Sequence, residues 1–219
     1  MLGRDVNVTR SLMYLVAILL SITFHEFMHA WSAFEMGDPT ARRMGRMTLN
    51  PIKHFDPLGA LMIAFMAFGG MGLGWGKPVP VNPYNLRGNP RVSMGITSAA
   101  GPFSNLVLAA TTAIPLRLIS GMPGLLSSFL LVMVITNVSL AVFNLLPLPP
   151  LDGFGVLQGV LGTLHGRRAL EWGQALDRLA SYGPILLLAL LAFGWFGGLN
   201  ILGSILSPPI NALLRLLVG

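Results

Sequence analysis

His25-Glu26-Phe27-Met28-His29 lies inside an apolar run that begins at Ser11 and reaches Phe34. On a helix, positions i and i+4 share a face, so His25 and His29 can place two imidazole nitrogens on one metal ion. Glu26 then stands beside the metal as a candidate general base for a bound water. The setting sharpens the reading. A charged side chain at mid-membrane costs roughly 2.5–3.5 kcal/mol on insertion scales. Three titratable groups in one membrane-type helix therefore point to a metal or a function.

Working outward, the 219 residues are 53% hydrophobic and only 10% charged, with a mean hydropathy of +0.71. Soluble domains carry about 25% charge, and several apolar runs here are long enough to span a bilayer. The pattern predicts an all-α multi-pass membrane protein. A net charge of +6 raises the question of nucleic acid. The basic residues sit in short loops between apolar runs, however, with no aromatic-interleaved basic stripe; this is the mark of membrane topology. Cysteine is absent, which excludes disulfides and thiolate metal sites. Arg4, Arg10, Leu12–Ile22 and Ala30-Trp31-Ser32 have the outline of a secretory signal, but cleavage there would discard the HExxH motif. Ser11–Phe34 is read as a retained helix.

The first helix should end near Met36-Gly37, before the turn-rich basic stretch Gly37–Pro57. Leu58–Trp75 is apolar and closes in the glycine-rich Gly69–Gly74. Pro78, Pro80 and Pro83 then exclude a helix and favour an extended segment or edge strand. Val92–Leu118 and Leu125–Leu146 are spanning candidates. The second runs into Pro147, Pro149 and Pro150, which break it and leave backbone groups unpaired at membrane depth. Irregular backbone is tolerated there only against protein or a cavity, so the break marks a site. Leu164–Ala180 reads as a basic, more soluble helix, and Ile185–Leu206 as a last span before Ser207-Pro208-Pro209 and a short interfacial tail.

The chain resembles the site-2 protease family of intramembrane zinc metalloproteases over nearly its whole length. The resemblance rests on His25-Glu26-x-x-His29, on Gly37-Asp38-Pro39-Thr40-Ala41 through Leu49-Asn50-Pro51-x-x-His54-x-Asp56-Pro57, and on Lys77-Pro78-Val79-Pro80-Val81-Asn82-Pro83. It continues in Gly101-Pro102-x-x-Asn105 and in Asn144-x-x-Pro147-x-Pro149-Pro150-Leu151-Asp152-Gly153. It implies one Zn2+ held by His25, His29 and Asp152, a set with an open fourth position suited to catalysis. Glu26 is then the catalytic base, taking a proton from the attacking water and returning it to the leaving amine. Asn144 matches a position involved in substrate handling and is a candidate oxyanion donor. Its other reading is a cap for carbonyls freed by Pro147. Asn105 either contacts substrate or joins helices through hydrogen bonds, the latter favoured. His54 is read as structural or substrate-facing rather than as a fourth ligand, and His165 as solvated.

The implied architecture is a core of three transmembrane helices plus further helices, with short extended or β segments. It forms one protease domain over residues 1–219: the HExxH helix (11–36), loops and a membrane-dipping segment (37–91), core helices ending in Leu-Asp-Gly (92–153) and C-terminal helices (154–219). There is no room for the peptide-binding PDZ or nucleotide-sensing CBS domains of many relatives. Setting the end of the first helix on the cytoplasmic side places 10 of the 14 Lys and Arg residues inside, as the positive-inside rule requires. Both ends of Leu58–Trp75 are then cytoplasmic, which predicts a re-entrant hairpin bent within Gly69–Gly74, and four crossings overall. The expected activity is regulated intramembrane proteolysis at the cell membrane, cutting single-pass proteins near the cytoplasmic face. The expected partner is a transmembrane substrate, such as an anti-sigma-factor-like protein or a signal-peptide remnant, in a lipid bilayer; a homo-oligomer stays open. An unwound substrate can pair with Lys77–Pro83 or the Gly37–Pro57 loop as an added strand. The contrasting reading is a membrane zinc carrier using the same ligands. A carrier needs titratable groups along several helices, whereas these gather at one depth.

Overall fold

A computed structural model describes residues 8–54, 56–67, 76–196 and 201–219. The first helix, α1 (Val8–Glu35), is about 42 Å long at 1.5 Å per residue, enough to cross a hydrocarbon core of about 30 Å. Its sides are sorted inversely to those of a soluble helix. Leu12, Val16, Leu20 and Phe24 recur every four residues on the exposed side, while Ser21, His25, His29 and Ser32 are buried. An apolar exterior around a polar interior suits a helix whose solvent is lipid. Gly37 (φ +107°) ends it in a left-handed turn, and Gly37 N donates to Phe34 O.

Next come the short helix α2 (Thr40–Arg43), a 3-10 turn at Pro51–His54, and α3 (Pro57–Ala67). At 11 residues, α3 covers about 17 Å and cannot cross a bilayer alone. Lys77 N donates to His54 O at 2.9 Å, so the chain leaves and returns at one end of the bundle. That agrees with both flanks of Leu58–Trp75 lying on one side; the bend expected within Gly69–Gly74 lies outside the described residues. Lys77–Asn82 is non-helical, as its prolines require, and precedes a 3-10 turn at Pro83–Asn85. Of the two expectations, extended segment or edge strand, the strand is not formed: no strand occurs among the described residues, and the Lys77, Val79 and Asn82 N–H groups go to side chains and a loop carbonyl.

Two long spans follow, α4 (Pro90–Leu118) and α5 (Gly124–Asn144). Asn89 caps α4 by accepting from Arg91 N, and Pro90 fills the first position, where no N–H is needed. Helix α4 is the hub, packing on α1, α5, α6 (Asp152–Gly162) and α9 (Ile201–Val218). Ala109 and Ala113 of α4 meet Val134 and Val138 of α5, and Ile210, Leu213, Leu214 and Leu217 of α9 cover that cluster. Helix α5 stops at Asn144, and the chain returns through Leu145–Leu151 into α6, which packs against α4. Only glycine fits at 153, where a Cβ would collide with the Leu145 carbonyl and lie 2.5 Å from Leu146 O. Gly95 and Gly159 allow α4 and α6 to touch, since a Cβ on Gly95 would lie 2.6 Å from Gly159 Cα.

The C-terminal part departs from expectation. Helix α7 (Arg167–Ala180) is the basic helix foreseen, but Ile185–Leu206 is not one span. It divides between α8 (Gly183–Phe196) and α9, and α9 continues through Pro208-Pro209 to Val218. The two missing N–H groups are outweighed by the packing of the α9 stripe on α4 and α5, so the interfacial tail is the second half of a helix. Arg117 Nη2 donates to Leu216 O at 2.6 Å, placing the ends of α4 and α9 side by side. Among the described residues, four helices are long and apolar enough to cross a membrane: α1, α4, α5 and α9.

Candidate metal centre

His25 and His29 stack one turn apart on the buried side of α1, with ring centroids 4.6 Å apart. His25 lies ten residues and His29 six from the end of α1 at Glu35, roughly 9–15 Å along the helix. Asp152 is the first residue of α6, where the helix N-terminus favours a carboxylate. Its Oδ2 is 3.0 Å from His25 Nε2 and its Oδ1 is 3.3 Å from His29 Nε2. Asp152, more than 120 residues further along the chain, thus converges with His25 and His29, the ligand atoms all within 4.8 Å of one another.

What stands behind the rings fixes which nitrogen faces the cluster. His29 Nδ1 is 2.7 Å from Thr97 O, a carbonyl that can only accept. His25 Nδ1 is 2.6 Å from Asn105 Oδ1. The Asn105 amide is oriented in turn because its Nδ2 donates to Ser21 O and Asn137 Oδ1. Both Nδ1 atoms therefore carry hydrogen, and both Nε2 atoms of the neutral rings present lone pairs. Two lone pairs and a carboxylate meeting in a largely buried place repel one another unless a cation sits among them. Ligands on a tetrahedral zinc with bonds of about 2.0–2.1 Å lie about 3.3 Å apart, close to the separations found. The residues fit zinc. Gly101 on α4 makes the space: a Cβ there would lie 2.7 Å from His25 Nε2 and nearer still to His29 Nε2.

Glu26 lies half-buried next to His25 on α1, and its Oε2 accepts from Val79 N at 2.9 Å. The segment Lys77–Asn82 crosses here as a strap. Arg46 Nη2 donates to Lys77 O (2.5 Å) and Pro78 O (3.3 Å), and Asn82 N donates to Asp38 Oδ2 (2.7 Å). Asp38 is wholly buried. Burial by itself raises its pKa, but donation from the Asn85 amide, the Thr40 hydroxyl and the Asn82 and Thr40 amides outweighs that and holds the carboxyl below its ordinary 3.8.

The remaining sequence candidates fall as follows. Asn105 is fully buried behind His25 with both ends of its amide engaged, so it faces the ligand ring rather than a substrate. Asn144 turns its Nδ2 onto Leu140 O at 2.9 Å, while Phe143 O is met by Leu146 N; its side chain is not the cap for the Pro147 break. His54 is buried, with Nε2 on Thr48 O, apart from the metal group. Sequence reasoning passed over Thr97, Asn137, Arg46 and Val79. Asn137 carried a signal, a lone amide within an apolar span. Thr97 and Val79 act through backbone atoms, which no side-chain pattern reveals.

The chain's relatives agree with this geometry. The model of peptidase family M50 matches residues 120–191, the part containing α5 and the Asp152 turn. A protein named as a zinc metalloprotease, YwhC of Bacillus subtilis, is 38% identical over 206 residues, covering 90% of this chain and 85% of that one. Two proteins named as zinc metalloprotease Rip2 are similar: that of Mycobacterium tuberculosis (strain Erdman) is 32% identical over 85% of this chain and 70% of its own length. That of Mycolicibacterium smegmatis is 33% identical over 71% of this chain and 61% of its own length. No solved structure matches. A polar, glycine-lined His-His-Asp centre within a helical membrane bundle defines a membrane metallohydrolase. The chain belongs to peptidase family M50, the site-2 protease family, and is a zinc metalloprotease.

Proposed function

We propose that this protease cuts single-pass transmembrane proteins within the bilayer, near the cytoplasmic face, in regulated intramembrane proteolysis. The observation that carries the reading is the meeting of His25, His29 and Asp152 inside an apolar-faced bundle, roughly 9–15 Å from the loop end of α1, with Glu26 alongside. Zinc at that centre supplies a Lewis acid and an activated water. His25, His29 and Asp152 would hold it. Glu26 takes the proton from the attacking water and passes it to the departing amine nitrogen. Asn144, the last residue of α5, holds its Nδ2 on Leu140 O and would have to leave that carbonyl to serve as an oxyanion donor.

A helix hides its scissile bonds, so the substrate must unwind before it is cut. The extended Lys77–Asn82 segment is where it would pair as an added strand. Pro78 and Pro80 keep the segment extended and remove their own N–H groups, while Val81 N–H has no hydrogen bond among the described residues. Lys53 and Lys77 lie at the bundle end toward which both arms of α1 and α4 bring their basic loops, which supports a cytoplasmic placement of that end. The carrier reading finds no second cluster: among the described residues, one group of metal-ligating side chains occurs. The test is co-expression of wild type or Glu26→Ala with tagged single-pass membrane proteins. A cytosolic fragment made only by wild type, with its new terminus mapped inside the span near the cytoplasmic face, is the expected result. Cleavage that survives Glu26→Ala would remove the mechanism, and a terminus mapped outside the span would remove the intramembrane assignment.

A further inference from the structure

Asn137 lies fully buried in α5, the most apolar of the spanning helices. Its Nδ2 donates to Met133 O at 2.9 Å, one turn back, and its Oδ1 accepts from Asn105 Nδ2 at 2.8 Å. The other hydrogen of Asn105 Nδ2 goes to Ser21 O at 3.1 Å, leaving Asn105 Oδ1 to face His25 Nδ1 at 2.6 Å. One line of hydrogen bonds thus runs from α5 through α4 to α1. Its direction is determined at both ends, because Met133 O and Ser21 O are carbonyls and only accept. Each amide has one orientation that satisfies its neighbours, and the line ends by requiring hydrogen on His25 Nδ1.

We propose that Asn137 is a positioning residue of the metal centre: acting through Asn105, it fixes the tautomer and ring orientation in which His25 Nε2 is a ligand. With Asn137 Oδ1 removed, only Ser21 O holds Asn105 Nδ2 away from the ring. A flipped Asn105 presents an N–H to His25 Nδ1 and selects the tautomer whose Nε2 carries hydrogen. That nitrogen cannot bind metal. A polar residue that only joins helices would stabilise the bundle without affecting which ring nitrogen ligates. The two roles are therefore separable.

The inference rests on the zinc-centre reading, and the test keeps their failures apart. Wild type, Asn137→Leu and Asn137→Asp are purified in detergent, and folding is checked by helix content. Zinc affinity is measured by chelator competition, the Co2+-substituted visible spectrum is recorded, and the His25 ring nitrogens are followed by 15N NMR. Asn137→Leu should weaken zinc by about tenfold, alter the Co2+ spectrum and change the His25 nitrogen pattern. Asn137→Asp should restore all three, because burial keeps the carboxyl neutral and its C=O and O–H reproduce the acceptor and the donor. Wild-type affinity and spectra in Asn137→Leu would overturn the proposal, leaving Asn137 as a helix contact. So would a folded Asn137→Asp that loses zinc as Asn137→Leu does. If Asn137→Leu does not fold, Asn137→Ala, which adds no bulk, is read by the same criteria. Wild type that binds no stoichiometric zinc would instead overturn the zinc-centre reading.

Discussion

The ligand residues are ordinary imidazoles and a carboxylate, and their surroundings make them a metal centre. Thr97 O and Asn105 Oδ1 turn each Nε2 lone pair inward, and the missing side chain at Gly101 leaves room for what the lone pairs face. Gly101→Ala tests that room. The new methyl would meet both rings, so zinc affinity measured by chelator competition should fall by about tenfold or more while helix content stays at wild type. His25, Glu26 and His29 were legible as HExxH in an apolar helix and Asp152 through the resemblance of its Leu-Asp-Gly motif; the structure brings His25, His29 and Asp152 together. Asn105 was visible but its direction was not. An amide in a membrane helix can face a substrate, another helix or a ligand ring, and only packing chooses.

At the scale of elements, the position of Asp152 depends on how closely α6 lies against α4. The contact runs through Gly95–Gly159, where added Cβ atoms would lie 2.6–2.7 Å from the facing Cα, and Gly155–Ser98, where one would lie 2.8 Å from Ser98 Cβ and nearer still to its Oγ. Gly159→Ala should therefore push α6 outward, lowering stability by about 1–3 kcal/mol in thermal or denaturant unfolding and weakening zinc binding along with it. The loops at the same end are tied by Asp38, whose carboxyl is held below its ordinary pKa of 3.8. A lowered folded pKa means stability that is fully present above the ordinary value and lost as pH falls through the lowered one. Proteolytic nicking of the strap should accordingly increase in acid. Asp38→Asn should show the loosened strap already at neutral pH, since an amide N–H would then confront the Asn82 or Asn85 donor. The spans α1, α4 and α5 were readable from apolar length. The division into α8 and α9 was not: Pro208-Pro209 argues locally for a helix end, and only the packing of Ile210, Leu213, Leu214 and Leu217 on α5 and α4 decides otherwise.

For the whole molecule, the polar side chains are gathered inside four spanning helices and the apolar ones face out. Around the metal centre helix contact relies on small residues and internal hydrogen bonds, while α4, α5 and α9 meet through the apolar cluster of Ala109, Ala113, Val134 and Val138. Membrane class followed from composition, because the bilayer restricts what an exposed helix face can be; the expected fourth span, Ile185–Leu206, did not, since α9 takes that place. Sidedness was argued from basic loops, and the Lys77 N to His54 O bond gives it a sharp consequence. Single cysteines at Lys53 and Lys77 should react with an impermeant reagent from the same side of the membrane; labelling from opposite sides would refute the shared placement. The central claim joins metal, base and hydrolysis, and reconstituted protein tests it most directly. Wild type and Glu26→Gln are stripped of metal, placed in lipid with a tagged single-pass substrate, and titrated with zinc. The account predicts that both bind one zinc per chain and that cleavage returns in wild type alone, with Glu26→Gln slower by roughly 10²–10⁴. Cleavage that is independent of zinc, or equal in the two proteins, would contradict it.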